Sequence, residues 1–127
     1  MIGITFENMA EKLLEVVPEL RDQYESELEW WGEEQPGAHI IYGNLLNPYL
    51  ITLLDSGDQE RILVSIFAFL EELASHEDPR VQEVVAVTVC EHLGDDLKNI
   101  EKARKYMGSK TLSLSNEIDN FWGRKVS

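Results

Sequence analysis

The stretch DPRVQEVVAVTVCEHLGDD, residues 78–96, constrains the fold more than any other. It carries five valines, a composition that favours a strand on propensity alone. Two features override that preference. Asp78-Pro79 is a helix start: the aspartate accepts from free backbone N–H groups, and proline has no N–H to leave bare in the first turn. Gly94 supplies the matching stop. Between them Val81, Val84, Val85, Thr88, Val89 and His92 recur at steps of three and four, whereas strand-like alternation breaks at Val84-Val85. The segment reads as a helix with one apolar stripe.

The rest of the chain follows the same pattern. Thr5 caps a first helix whose apolar positions are Phe6, Met9, Ala10, Leu13 and Val17. Pro18 divides it from a second, in which Leu20, Tyr24, Leu28 and Trp31 share a face and Gly32 is the C-terminal cap. EEQPGAH is a loop by composition. Asn47 and Pro48 read as the start of NPYLITLLD, a helix apolar on most sides. QERILVSIFAFLEELASHE has its stripe at Ile62, Ile66, Phe69, Leu70 and Leu73. LKNIEKARKYMG is a basic helix ending at Gly108, and Ser115 is the expected cap of a last one presenting Ile118, Phe121 and Trp122. Short connections make successive helices antiparallel neighbours. The expected fold is all-α: one domain over residues 1–127, an irregular, HEAT-like bundle of six to eight short antiparallel helices. The HEAT-like element is the helix pair around SHEDPRVQEVVAVTVCEHLGDD.

Charge narrows the functions. Twenty-four acids against eleven bases give a net charge of −13. Residues 1–97 hold 21 acids and 4 bases, net −17, and residues 98–127 hold 3 acids and 7 bases, net +4. Such a body repels nucleic acid and attracts basic partners. No run is long and apolar enough for a membrane span, and MIGITFENMAEK has neither the basic nor the apolar region of a secretory signal. With a single cysteine, Cys90, there is no internal disulfide, and a cytoplasmic location is the expectation.

Chemistry is hard to place. Cys90 falls near the buried side of the valine-rich helix, where an apolar setting makes a thiol inert. His39, His76 and His92 are far apart. Glu91, His92, Asp95 and Asp96 are the one set that suggests a metal, but the aspartates follow a capping glycine and better serve as caps of the next helix. The expectation is a protein without cofactor or metal that is not an enzyme.

Binding remains. ESELEWWGEEQPG, residues 25–37, sets two tryptophans among five carboxylates and no base. Trp31 continues the apolar stripe and belongs to the core; Trp30 lies about 100° around the helix and is at best half buried. Tryptophan is enriched among interface hot spots, and flanking carboxylates speed encounter with a basic partner. The partner-binding candidates are Glu27, Trp30, Glu33 and Glu34, with Glu71, Glu72, Glu77 and Asp78 as a second acidic cluster.

With LEWWGEE, GNLLNPYLITLL, VTVCEHLGDD, ARKYMG and FWGR in view, the chain resembles a family of small bacterial single-domain proteins of unknown function, chiefly from Bacillus-type organisms. That resemblance transfers no catalytic residue. In size, acidity and helical character the chain is also similar to the acidic immunity proteins that accompany bacterial toxins, which implies an inhibitor that masks a basic partner such as a nuclease. The alternative is a HEAT-like adaptor or structural domain, with a homodimer as one form open to it.

Overall fold

A computed structural model describes residues 3–121 and 123. Among them the chain forms seven helices and no strand. Helix α1 (Met9–Val16) is led by a 3-10 turn, Phe6–Asn8, with a reciprocal cap: Asn8 N–H donates to Thr5 Oγ1 at 3.2 Å, and Thr5 N–H donates to Asn8 Oδ1 at 2.8 Å. Two donors that a helix start leaves bare are thereby satisfied. After the turn Pro18–Leu20, α2 (Arg21–Trp31) runs to Gly32, whose φ of 64° favours a residue without a Cβ.

Helices α3 (38–56) and α5 (79–94) each widen in the middle. Over Tyr42–Leu46 and Val84–Cys90 the backbone bonds move from four residues back to five: Asn47 N–H reaches the Tyr42 carbonyl, and Glu91 N–H reaches that of Ala86. Asn47 is therefore not the helix start expected of it. Proline cannot donate, and its ring crowds the carbonyl four residues back; the wider turn ahead of Pro48 lets one helix pass through this point without a break. At the other end of the valine-rich segment the expectation holds, with Asp78 Oδ1 accepting from Arg80 N–H at 2.9 Å and Pro79 in the first turn.

Helix α4 (Glu60–Ala74) follows α3, and α6 (Leu97–Arg104) follows α5. Asp96 caps α6 by accepting from Lys98 N–H at 2.8 Å. The last helix, α7, spans Ser109–Phe121. Its start corrects the cap assigned to Ser115, which lies buried inside the helix. Trp122 lies outside the described residues, and Phe121 is exposed.

The core joins Met9, Leu13 and Val17 of the α1 segment to Ile41, Leu46 and Leu50 of α3, Ile66, Phe67, Leu70 and Leu73 of α4, and Val81, Val84, Val85, Val89 and Leu93 of α5. Each such side chain contributes about 1.5–3 kcal/mol by leaving water. Tyr42, fully buried, directs its hydroxyl to the Met9 carbonyl at 2.9 Å, so its polar end is satisfied. The α4–α5 pair packs together as expected, and α7 lies against both, so that pair is covered. The turn between them is pinned by His76. Its Nε2–H donates to the Ile4 carbonyl at 2.7 Å while Nδ1 accepts from Asp78 N–H at 3.0 Å, which selects one neutral tautomer.

Two expectations about burial are corrected. His92 is exposed at the end of α5 and does not continue the valine stripe. Trp31 is half-buried, and α2 buries no residue completely. The indole Nε1–H donates to Glu27 Oε2 at 2.8 Å. Sinking that indole would draw a carboxylate out of water, so the pair stays at the rim.

Candidate functional site

Glu27 does more than line a surface. The oxygen that accepts from Trp31 also accepts from Asn44 Nδ2 at 3.1 Å. One carboxylate thus ties α2 to the wide turn of α3, across 17 residues of sequence. Trp30 stands outward from this joint. It is 78% exposed and meets Trp31 edge to face, with ring centres 5.3 Å apart. The half-buried indole supports the exposed one.

Beside Trp30 an open groove of about 590 Å³ runs between α2 and α3. Three carboxylates line it, those of Glu19, Asp22 and Glu27, together with Gln23, Ser26, Asn44 and the buried Leu45. Among the described residues no basic one does. Tyr49 hydroxyl donates to Glu19 Oε2 at 2.8 Å. Burial, then the hydrogen bond and charge of Glu19, push the Tyr49 phenol up to about 12. It therefore stays a donor at physiological pH and orients Glu19 without adding charge. Just past α2, Glu33 and Glu34 are exposed.

The groove was only partly legible in the sequence. Glu27 and Trp30 line it, but Glu19, Asp22 and Asn44 were missed. The signal for the first two was helical spacing: Glu19 and Gln23 precede Glu27 by two steps of four, and Asp22 and Ser26 precede Trp30 likewise.

The second acidic cluster separates into different parts. Glu72 and Glu77 are exposed. Glu71 turns to α7, where Oε2 accepts from Lys110 N–H at 3.0 Å, and Oε1 accepts from Thr111 N–H and Oγ1, both at 2.9 Å. Desolvation raises its carboxyl, but the bonds from Thr111 and Lys110 outweigh that and hold it below the usual glutamate range. Asp78 is engaged by Arg80, whose guanidinium also reaches Glu7 at 3.2 Å and lies 4.9 Å from the Phe6 ring centre. Hydrogen bonds from Arg80 hold the Asp78 carboxyl below its ordinary value. Neither Glu71 nor Asp78 presents an unengaged charge to a partner, because each already serves as a helix cap.

Cys90 is 1% exposed. Burial, and secondarily the charge of Asp119, push its thiol up to about 12. A thiol-reactive disulfide reagent at pH 8 is expected to label Cys90 only at the rate of unfolding, with labelling complete in denaturant. Rapid labelling of the native protein would contradict this burial. Among the described residues no group of three or more His, Cys, Asp and Glu comes together to hold a metal ion. No helix among them is long and apolar enough to cross a membrane.

Residues 10–123 match a protein family described as a domain of unknown function, DUF7674. No curated protein and no solved structure matches the chain.

Proposed function

The chain belongs to the DUF7674 family, and we propose that it is a non-enzymatic binding protein, an immunity or inhibitor protein that masks a basic protein partner such as a nuclease toxin. The observation that carries this reading is the groove beside Trp30, with three carboxylates, an indole 78% exposed and no basic residue among the described residues that line it. A lysine or arginine side chain lying against the indole face gains a cation–π contact, and the carboxylates around it supply the counter-charge. Glu33 and Glu34, next along the chain, add to the field that draws a basic surface in from a distance. A nuclease cleft built to hold phosphates is one basic surface this arrangement fits.

The immobilised chain, exposed to an extract of its own cells at low salt, is expected to retain a basic protein that is released by high salt. Retention of no basic protein would remove the support for this reading. Trp30→Ala is expected to weaken the purified complex by about 30-fold, the cost of losing a hot-spot indole of about 2 kcal/mol. It leaves the melting temperature unchanged, because the ring is mostly in water. Glu33→Lys with Glu34→Lys acts on the same complex with little effect on the fold. Glu27→Lys is a poorer test, because it also breaks the joint to Trp31 and Asn44. If the chain instead works as a helical adaptor or homodimer, sedimentation will show self-association that survives high salt, since apolar burial is not screened.

A further inference from the structure

Lysine and arginine would meet the groove beside Trp30 differently. Asp22, Ser26 and Trp30 follow one another along α2 at steps of four, and Glu19, Gln23 and Glu27 run beside them at the same spacing. A long side chain on a helix leans towards the preceding turn, and Trp30 lines the groove together with Asp22, Ser26 and Glu27. Resting on the binding role given above, we propose that this groove selects arginine over lysine in its partner. The guanidinium stacks on the Trp30 indole and turns its N–H edge to the carboxylates of Glu27 and Asp22.

The indole makes this strip more than a row of acids. It is 78% exposed, and its edge-to-face contact with the half-buried Trp31 braces it, so a flat ring stands in water at the groove. The carboxylates are engaged by neutral donors only. Trp31 and Asn44 donate to Glu27 Oε2, and Tyr49 donates to Glu19 Oε2. Such bonds orient a carboxylate without cancelling its charge. Among the described residues no base pairs with Glu19, Asp22 or Glu27. With Nδ2 donated to Glu27, Asn44 keeps Oδ1 to accept. The groove therefore sets a ring face beside several acceptors. A guanidinium meets both at once: its plane lies on the ring while five N–H donors around its edge reach oxygen. An ammonium is a compact charge that holds its water more tightly, and an open groove does little to strip it.

The test is calorimetry at low salt with three short peptides that keep the same flanking lysines and differ only at the central residue. That residue is arginine, lysine or citrulline, the uncharged analogue of arginine. The arginine peptide is expected to bind about fivefold more tightly than the lysine peptide, within the range of a cation–π contact. The citrulline peptide binds most weakly. In NMR spectra of the complex the arginine side-chain protons move upfield, as protons above an aromatic face do. Trp30→Ala weakens the arginine peptide and brings the two charged peptides to within about twofold of each other. Glu33→Lys with Glu34→Lys changes the field and not the groove, so it weakens both alike and keeps their ratio. Binding by none of the peptides would overturn the binding role and the selection together. Equal binding of the arginine and lysine peptides, or an arginine preference that survives Trp30→Ala, would overturn the selection alone and leave the binding role standing.

Discussion

Glu71→Ala is expected to destabilise the protein by about 3 kcal/mol and to lower its melting temperature by roughly 10 °C. Three hydrogen bonds vanish together, from the backbone N–H groups of Lys110 and Thr111 and from the Thr111 hydroxyl, and Thr111 is 1% exposed. A lost helix cap alone costs about 0.5–2 kcal/mol, and hydrogen bonds to a charged group run to about 1.5–3 kcal/mol. Glu71→Gln keeps an acceptor and loses less. Gly108→Ala should act through the same cap, because a Cβ there would collide with the Glu71 carboxylate.

The acid dependence has a definite sign. The folded carboxyl titrates below its unfolded value. Its stabilisation is therefore complete above the ordinary glutamate pKa of about 4.3 and is lost as pH falls through the lower folded value. The gap between wild type and Glu71→Gln narrows over that interval. Thermal unfolding between neutral and acid pH measures both effects. A change within about 0.5 kcal/mol at neutral pH, the range of an ordinary surface substitution, would show that the cap is not made.

Phe67→Ala is expected to cost more, about 3–5 kcal/mol. Phe67 is 1% exposed, and its ring stacks on Tyr106 with centres 5.9 Å apart and planes 21° apart. The ring fixes α4 against the turn after α6, so its removal leaves a cavity and loses an aromatic contact. Total stability of a domain this size is typically about 5–15 kcal/mol, so much of it goes at once. Urea unfolding measures the loss. A cost below about 1.5 kcal/mol, typical of a volume-conserving swap, would mean that the core refills around the vacancy.

These two residues show how far the sequence could be read. Helices were legible wherever the signal was local: Thr5, Asp78 with Pro79, and the stripe of α4 all sit within a few residues of what they specify. The start of α7 was not, because its cap comes from Glu71, some 40 residues earlier, and nothing near Ser109 marks it. Asn47-Pro48 misled for the opposite reason. The pair is a good local start signal, but a wide turn absorbs the proline and the helix continues. The valines of α5 were recognised as helical, while the change in hydrogen-bond register over Val84–Cys90 leaves no mark in the apolar spacing. For the groove, the angle around the helix limited Trp30 to half burial at most, and the structure exposes it further. Trp31 was not placed at the rim, since the stripe alone does not register the hydrogen bond to Glu27.

The most direct test of the binding account is calorimetry with an arginine-rich peptide across a salt series, using wild type, Trp30→Ala, Glu33→Lys with Glu34→Lys, and the charge-matched control Glu11→Lys with Glu101→Lys. If the groove beside Trp30 holds a basic side chain, wild type and control bind alike at low salt, Trp30→Ala and the Glu33→Lys with Glu34→Lys variant bind at least about tenfold more weakly, and affinity falls steadily as salt rises. Equal binding by all four proteins, or binding indifferent to salt, would contradict it.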